Sequence, residues 1–175
     1  MSLAQAYYAL AAVLLLAAYL VFTASPLLQT FRRSRFATVT LTLAATAWFG
    51  WWLMNMPEPD LAGLPRLPVV VVLLGASLAT LRFMPDLLSI RSLGVLMLFF
   101  ARFTLDAGYR QLPRSLLDAT LSYGLFVFFG LWWAYSPPAF LNQCDWVLHT
   151  PARHKGLGLI LGLLAVACLL ATVVS

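Results

Sequence analysis

Histidine, cysteine and lysine are nearly missing from this sequence. In 175 residues there are two histidines, two cysteines and a single lysine, and where they fall excludes whole classes of function. His149 and His154 both lie between the last two long apolar segments, so no apolar segment carries the pair of histidines that intramembrane haem b requires. Lys155 sits in the same stretch, which excludes a lysine Schiff base inside a helical bundle. Cys144 and Cys168 make neither a disulfide framework nor a Cys-x-x-Cys redox pair. The six acidic residues are scattered, so the acidic cluster of a metal-dependent lipid transferase is missing. Gly75-Ala76-Ser77 begins like an intramembrane serine-protease motif, but Leu78 stands where the next glycine belongs and no histidine base is at hand. The expectation is a chain without catalysis of its own, without a cofactor and without a metal.

What the sequence has in abundance is apolar surface. Hydrophobic residues make up 62% and charged residues 10%, against roughly 45–50% and about 25% in soluble domains. The excess is gathered into long runs separated by short charged or proline-rich stretches, as in a chain solvated by lipid. The fold class expected is an all-α integral membrane protein: one domain, a bundle of about six transmembrane helices, with a short interfacial helix before the last. The spans read as Leu3–Leu28, Ala37–Met54, Pro68–Met84, Ile90–Gly108, Leu116–Tyr135 and Gly156–Val174. The first is too long for a signal peptide and lacks a basic leader, so it reads as a retained helix. Ser115 and Asp118 have the spacing of a capping box at the start of the fifth span. After Pro137-Pro138, the apolar residues Phe140, Leu141, Cys144, Val147 and Leu148 recur at helical spacing opposite Asn142, Gln143 and Asp145, which predicts an interfacial helix over Ala139–His149.

The net charge of +5 does not point to nucleic acid, because the basic residues stand at segment ends. Loops one, three and five hold Arg32, Arg33, Arg35, Arg82, Arg91, Arg153 and Lys155, whereas loops two and four hold Arg66, Arg110 and Arg114. The positive-inside rule then places both termini on the non-cytoplasmic side. Trp48, Trp51, Trp52, Trp132, Trp133 and Trp146 read as interfacial anchors, since indole rings settle at the lipid headgroups.

Arg102 and Asp106 share a helix face one turn apart. Counted from Arg91 at 1.5 Å per residue, Arg102 lies about 16 Å along a ~30 Å apolar layer. That depth makes the pair a candidate intramembrane ion pair for an anionic group or a proton; a helix that begins nearer Met84 instead lets Arg102 snorkel to the interface. Thr42 and Thr46 form a second polar candidate, read chiefly as helix packing. Gly75 with Ala79, and Gly158 with Gly162, are small-residue pairs suited to close helix contact. Cys144, His149 and His154 match no standard zinc spacing.

The function expected from this pattern is a non-catalytic integral subunit of a larger membrane complex or homo-oligomer, in contact with lipid or quinone. Two rivals remain from other classes. One is a small-solute carrier that uses Arg102 and Asp106 within the bundle. The other is a membrane enzyme with a reactive loop over 136–156.

Overall fold

The computed structural model describes residues 2–31, 34–57, 65–83 and 87–174, and among them there are helices and turns but no strands. Six helices are long and apolar enough to cross a membrane. In chain order the elements are α1 (Leu3–Phe22), α2 (Pro26–Thr30), α3 (Arg35–Met54), α4 (Arg66–Phe83), α5 (Leu88–Gly108), α6 (Leu116–Leu121), a π-helical segment (Ser122–Val127), α7 (Phe128–Tyr135), α8 (Pro137–Leu148) and α9 (Pro151–Val174). The segment from α6 through the π turn to α7 is one continuous span, Leu116–Tyr135.

Local chemistry explains the ends. Ser2 and Gln5 form a capping box at the start of α1, which satisfies amides that have no partner inside the helix. The apolar run predicts a helix as far as Leu28, but α1 stops at Phe22. Ala24 takes a positive φ of 46°, and Ser25 is extended ahead of Pro26, the conformation a following proline favours. Ser34 caps α3 by accepting from the Ala37 amide. The expected first residue of the last span, Gly156, is also corrected: α9 begins at Pro151, a residue suited to a first helical turn. His154 and Lys155 are therefore helical residues, not loop residues. The basic pair Arg32-Arg33 and the expected helix terminator Pro85-Asp86 lie outside the described residues.

Helix α1 supplies the largest share of the buried apolar core. Its buried residues Leu3, Ala6, Tyr7, Leu10, Ala11, Leu14 and Ala18 recur on one face, the face expected of a helix packed on one side. Of these, Leu3, Tyr7, Leu10, Ala11 and Leu14 cluster with Ala165 and Cys168 of α9, Ala101 of α5, and Leu121 and Phe126. Helix α9 runs antiparallel to α1: Cys168 clusters with Tyr7 at one end, and the His154 ring lies 3.1 Å from the Phe22 carbonyl at the other. Outward-facing residues are strongly apolar, among them Leu16, Tyr19, Val72, Leu78, Phe128, Leu131, Leu163 and Leu170. Buried positions instead include four threonines, four serines and Asp118. A water-soluble domain distributes these residues the other way round.

Where helices approach most closely, glycine is the cause. A Cβ on Gly94 of α5 would lie 2.6 Å from the Gly130 carbonyl and 2.9 Å from the Ala134 amide. A Cβ on Gly158 of α9 would lie 2.7 Å from the Phe22 Cβ. Gly162, its partner in the small-residue pair, meets nothing within 4 Å. Because backbone atoms cannot yield as side-chain tips do, Gly94→Ala is expected to push α5 from α7 and destabilise the bundle by about 1–3 kcal/mol. Gly162→Ala should leave thermal unfolding in detergent unchanged. Equal melting of the two variants would contradict this account of the α5–α7 contact.

Candidate functional site

The polar residues of the bundle fall into two interior clusters and one peripheral pair. The first cluster follows the threonine face of α3. Thr38, Thr42 and Thr46 are buried, and they bond across to neighbouring helices as well as to their own. Thr42 Oγ1 lies 2.9 Å from Ser92 Oγ on α5, and Thr46 Oγ1 donates toward Ser77 Oγ on α4 at 2.8 Å. These contacts order α4, α3 and α5 side by side, which is what small hydroxyl residues do where no water competes.

The second cluster lies at the end of the bundle that carries Tyr7. Ser115, Asp118 and Ser122 are spaced i, i+3 and i+7, which puts them on one face of the α6 span, and all three are buried. Asp118 is fully enclosed. Its Oδ1 lies 3.2 Å from Ser122 Oγ, Ser122 Oγ lies 2.7 Å from Thr104 Oγ1 of α5, and Thr104 Oγ1 donates to the Ala101 carbonyl at 2.9 Å. Asp118 Oδ2 has no hydrogen-bond partner. Helix α5 can come this close because residue 108 is glycine: a Cβ there would lie 2.7 Å from Asp118 Oδ2. The Tyr7 hydroxyl of α1 donates to the Arg114 carbonyl and so closes the cluster from the chain end of α6. Cys168 of α9, fully buried, completes the surround.

Asp118 is the residue that a reading of the sequence as a capping box misplaces. Ser115 sits in the bridge region, φ −87° and ψ 7°, not the extended conformation usual for a capping residue, and makes no side-chain cap. The carboxylate turns inward to Ser122 and does not cap the helix. The i, i+3, i+7 spacing of Ser115, Asp118 and Ser122 was the available signal.

Arg102 and Asp106 do come together, with Nε to Oδ2 at 3.7 Å, but their side chains are 53% and 74% exposed. The pair therefore sits on the outside of α5. Arg102 is six residues from the end of α5 at Gly108, about 9 Å along the axis, and its guanidinium sits 4.5 Å over the Trp52 ring. Trp51 faces outward, whereas Trp48 packs inside the chain against Phe99 and Phe103. Gly75 and Ala79 of α4 face outward, with nothing within 4 Å of a Cβ on Gly75.

Residues 136–156 are structured. Helix α8 is fixed to α7 by Trp133 Nε1 donating to Gln143 at 2.8 Å and by Phe140, which meets Trp133 edge-on at 4.8 Å. Trp132 and Trp146 border a shallow hollow with Ala139, Asn142 and Gln143, and Arg153 lies 4.4 Å over the Trp146 ring. No metal-binding group of three histidine, cysteine or acidic residues occurs among the described residues.

Burial, and then the neighbouring Asp145, push the Cys144 thiol up to about 11. The thiolate is the reactive form, and its share changes tenfold per pH unit below that value. Alkylation of Cys144 by iodoacetamide should therefore be roughly a hundredfold slower at pH 8 than for a thiol of ordinary acidity. The rate should keep climbing with pH toward about 11; a plateau near pH 9 would show an unperturbed thiol.

No protein-family model, curated protein or solved structure matches this chain, so the chemistry of these clusters rests on their own residues.

Proposed function

We propose that the protein is a multi-pass integral membrane protein that serves as a non-catalytic subunit, docking a helix of another chain, or of a second copy, against α4. One observation carries the reading. Helix α4 is long and apolar enough to span, yet none of its residues is buried, and its small residues Gly75 and Ala79 face away from α3 and α5 into open space. Small outward-facing residues let a neighbouring backbone approach, and that approach is the main source of helix association in lipid. Lipid and quinone contacts at the same boundary belong to this reading.

The orientation follows from charge. Arg35, Arg82, Arg91, Arg153 and Lys155 stand at the helix ends on one side of the bundle, opposite Arg66, Arg110 and Arg114. With the richer side cytoplasmic, both termini are non-cytoplasmic. A C-terminal reporter active only in the cytoplasm should stay silent, and activity would reverse the assignment.

Gly75→Leu tests the docking face. Since a side chain at residue 75 meets nothing within the chain, the variant should fold and melt like the parent. Gentle detergent extraction from native membrane should show the parent in an assembly larger than one chain and the variant as a single chain. A parent that runs as a lone chain, or a variant that assembles undiminished, overturns the proposal.

A further inference from the structure

The oxygens between α5 and α6 form a chain of three links: Asp118 Oδ1 to Ser122 Oγ at 3.2 Å, Ser122 Oγ to Thr104 Oγ1 at 2.7 Å, and Thr104 Oγ1 to the Ala101 carbonyl at 2.9 Å. Each link needs one hydrogen. The Ala101 carbonyl only accepts, so the Thr104 hydrogen is committed to it. Ser122 must then donate to Thr104, and the first link has no hydrogen left unless Asp118 supplies it. A neutral carboxyl brings the third hydrogen, whereas a carboxylate leaves three links with two.

The other carboxyl oxygen agrees with this count. Oδ2 is buried without a donor, and the one ion pair among the described residues is that of Arg102 with Asp106. An unpartnered anionic oxygen in a dry interior is far costlier than the carbonyl oxygen of a neutral acid. Nor does the site have room for a metal cation. A hard cation gathers about six or more oxygens, but Oδ2 faces the α5 backbone at Gly108, with Ser115 Cβ only 2.9 Å from where a Cβ on that glycine would stand.

From this hydrogen count we propose that Asp118 is a proton-binding site inside the bundle, and that Asp118, Ser122, Thr104 and the Ala101 carbonyl form a relay that is complete in the proton-bound state. When the proton leaves for an external base, no other covalent bond breaks. Ser122 turns its hydrogen to Oδ1, Thr104 turns its hydrogen to Ser122, and the Ala101 carbonyl loses its hydroxyl donor. Proton release thus reverses the direction of the relay: the Ser122–Thr104 bond between the helices is kept with its donor exchanged, and the bond given up is the one inside α5, from Thr104 to the Ala101 carbonyl. The titratable groups packed around the site are Tyr7 of α1 and Cys168 of α9; α5 contributes Thr104 and the Gly108 backbone, and neither α1 nor α9 brings a cation to it. The π-helical segment begins at Ser122, the central hydroxyl, and single π turns recur at functional positions in helices.

Infrared difference spectroscopy of the purified protein in neutral buffer tests the site. The parent should show the C=O stretch of a protonated carboxylic acid, sensitive to deuterium exchange. Asp118→Asn, whose amide still donates to Ser122, should fold normally and lose that band. Ser122→Ala should keep the band and move it to higher frequency, as for an acid freed of its acceptor. A second readout, independent of whether the Asn variant folds, is thus the Ser122→Ala shift. Absence of an acid band in the parent, its persistence in Asp118→Asn, or an unmoved band in Ser122→Ala overturns the proposal.

Discussion

A bundle whose outer surface is leucine, valine, phenylalanine and tryptophan offers few partners outside itself to the hydroxyls along its helices, and most of them are satisfied within the chain. The consequence is visible in the threonines. Thr38 returns its hydroxyl to the Ser34 carbonyl, Thr104 to Ala101 and Thr120 to Leu116. Where a second hydroxyl stands opposite, the same residues cross between helices, as Thr42 does with Ser92 and Thr46 with Ser77. Each such bond in a membrane protein averages only about 0.6 kcal/mol. Their importance is directional: a hydroxyl pair holds one lateral and rotational setting of two helices that apolar contact alone leaves slippery.

Direction from hydroxyls works only where the helices are already close, and closeness comes from missing side chains. On the membrane reading proposed above, lipid tails are as apolar as leucine, so helices would gain little by hiding hydrophobic surface from them and chiefly by packing tightly. Gly94 against Gly130, and Gly158 against Phe22, bring backbones into contact along two separate seams. Gly108 does the same beside Asp118. Alanine on the facing surfaces, at residues 11, 101 and 165, extends the effect through the core.

The long helices were legible as apolar runs of about twenty residues, and α8 was legible from the spacing of Phe140, Cys144 and Val147. Ends were not, where one backbone angle decides: Ala24 at φ 46° stops α1 inside an unbroken apolar run. Of the small-residue pairs, Gly158 makes the close contact and Gly162 and Gly75 make none within the chain. The tightest crossing, Gly94 with Gly130, joins two helices and so leaves no pattern within either. Asp118 was visible as a residue but not as a site. Beside Ser115 it has cap spacing, beside Ser122 it has face spacing, and only the presence of Thr104 and Gly108 on α5 decides between them.

The same geometry bears on why a carboxyl occupies position 118. If the three-link relay were needed only to hold α6 against α5, an asparagine would donate to Ser122 as well and could never leave a charge in a closed apolar site. A carboxyl holds the same two oxygens together but in a form whose direction is reversed by loss of one proton. Its neighbours fit that difference: Oδ2 has no donor to lock it ionised, and Tyr7 spends its hydroxyl on the Arg114 carbonyl. What Asp118 adds to a purely structural bond is reversibility, at the place where α1, α5, α6 and α9 meet.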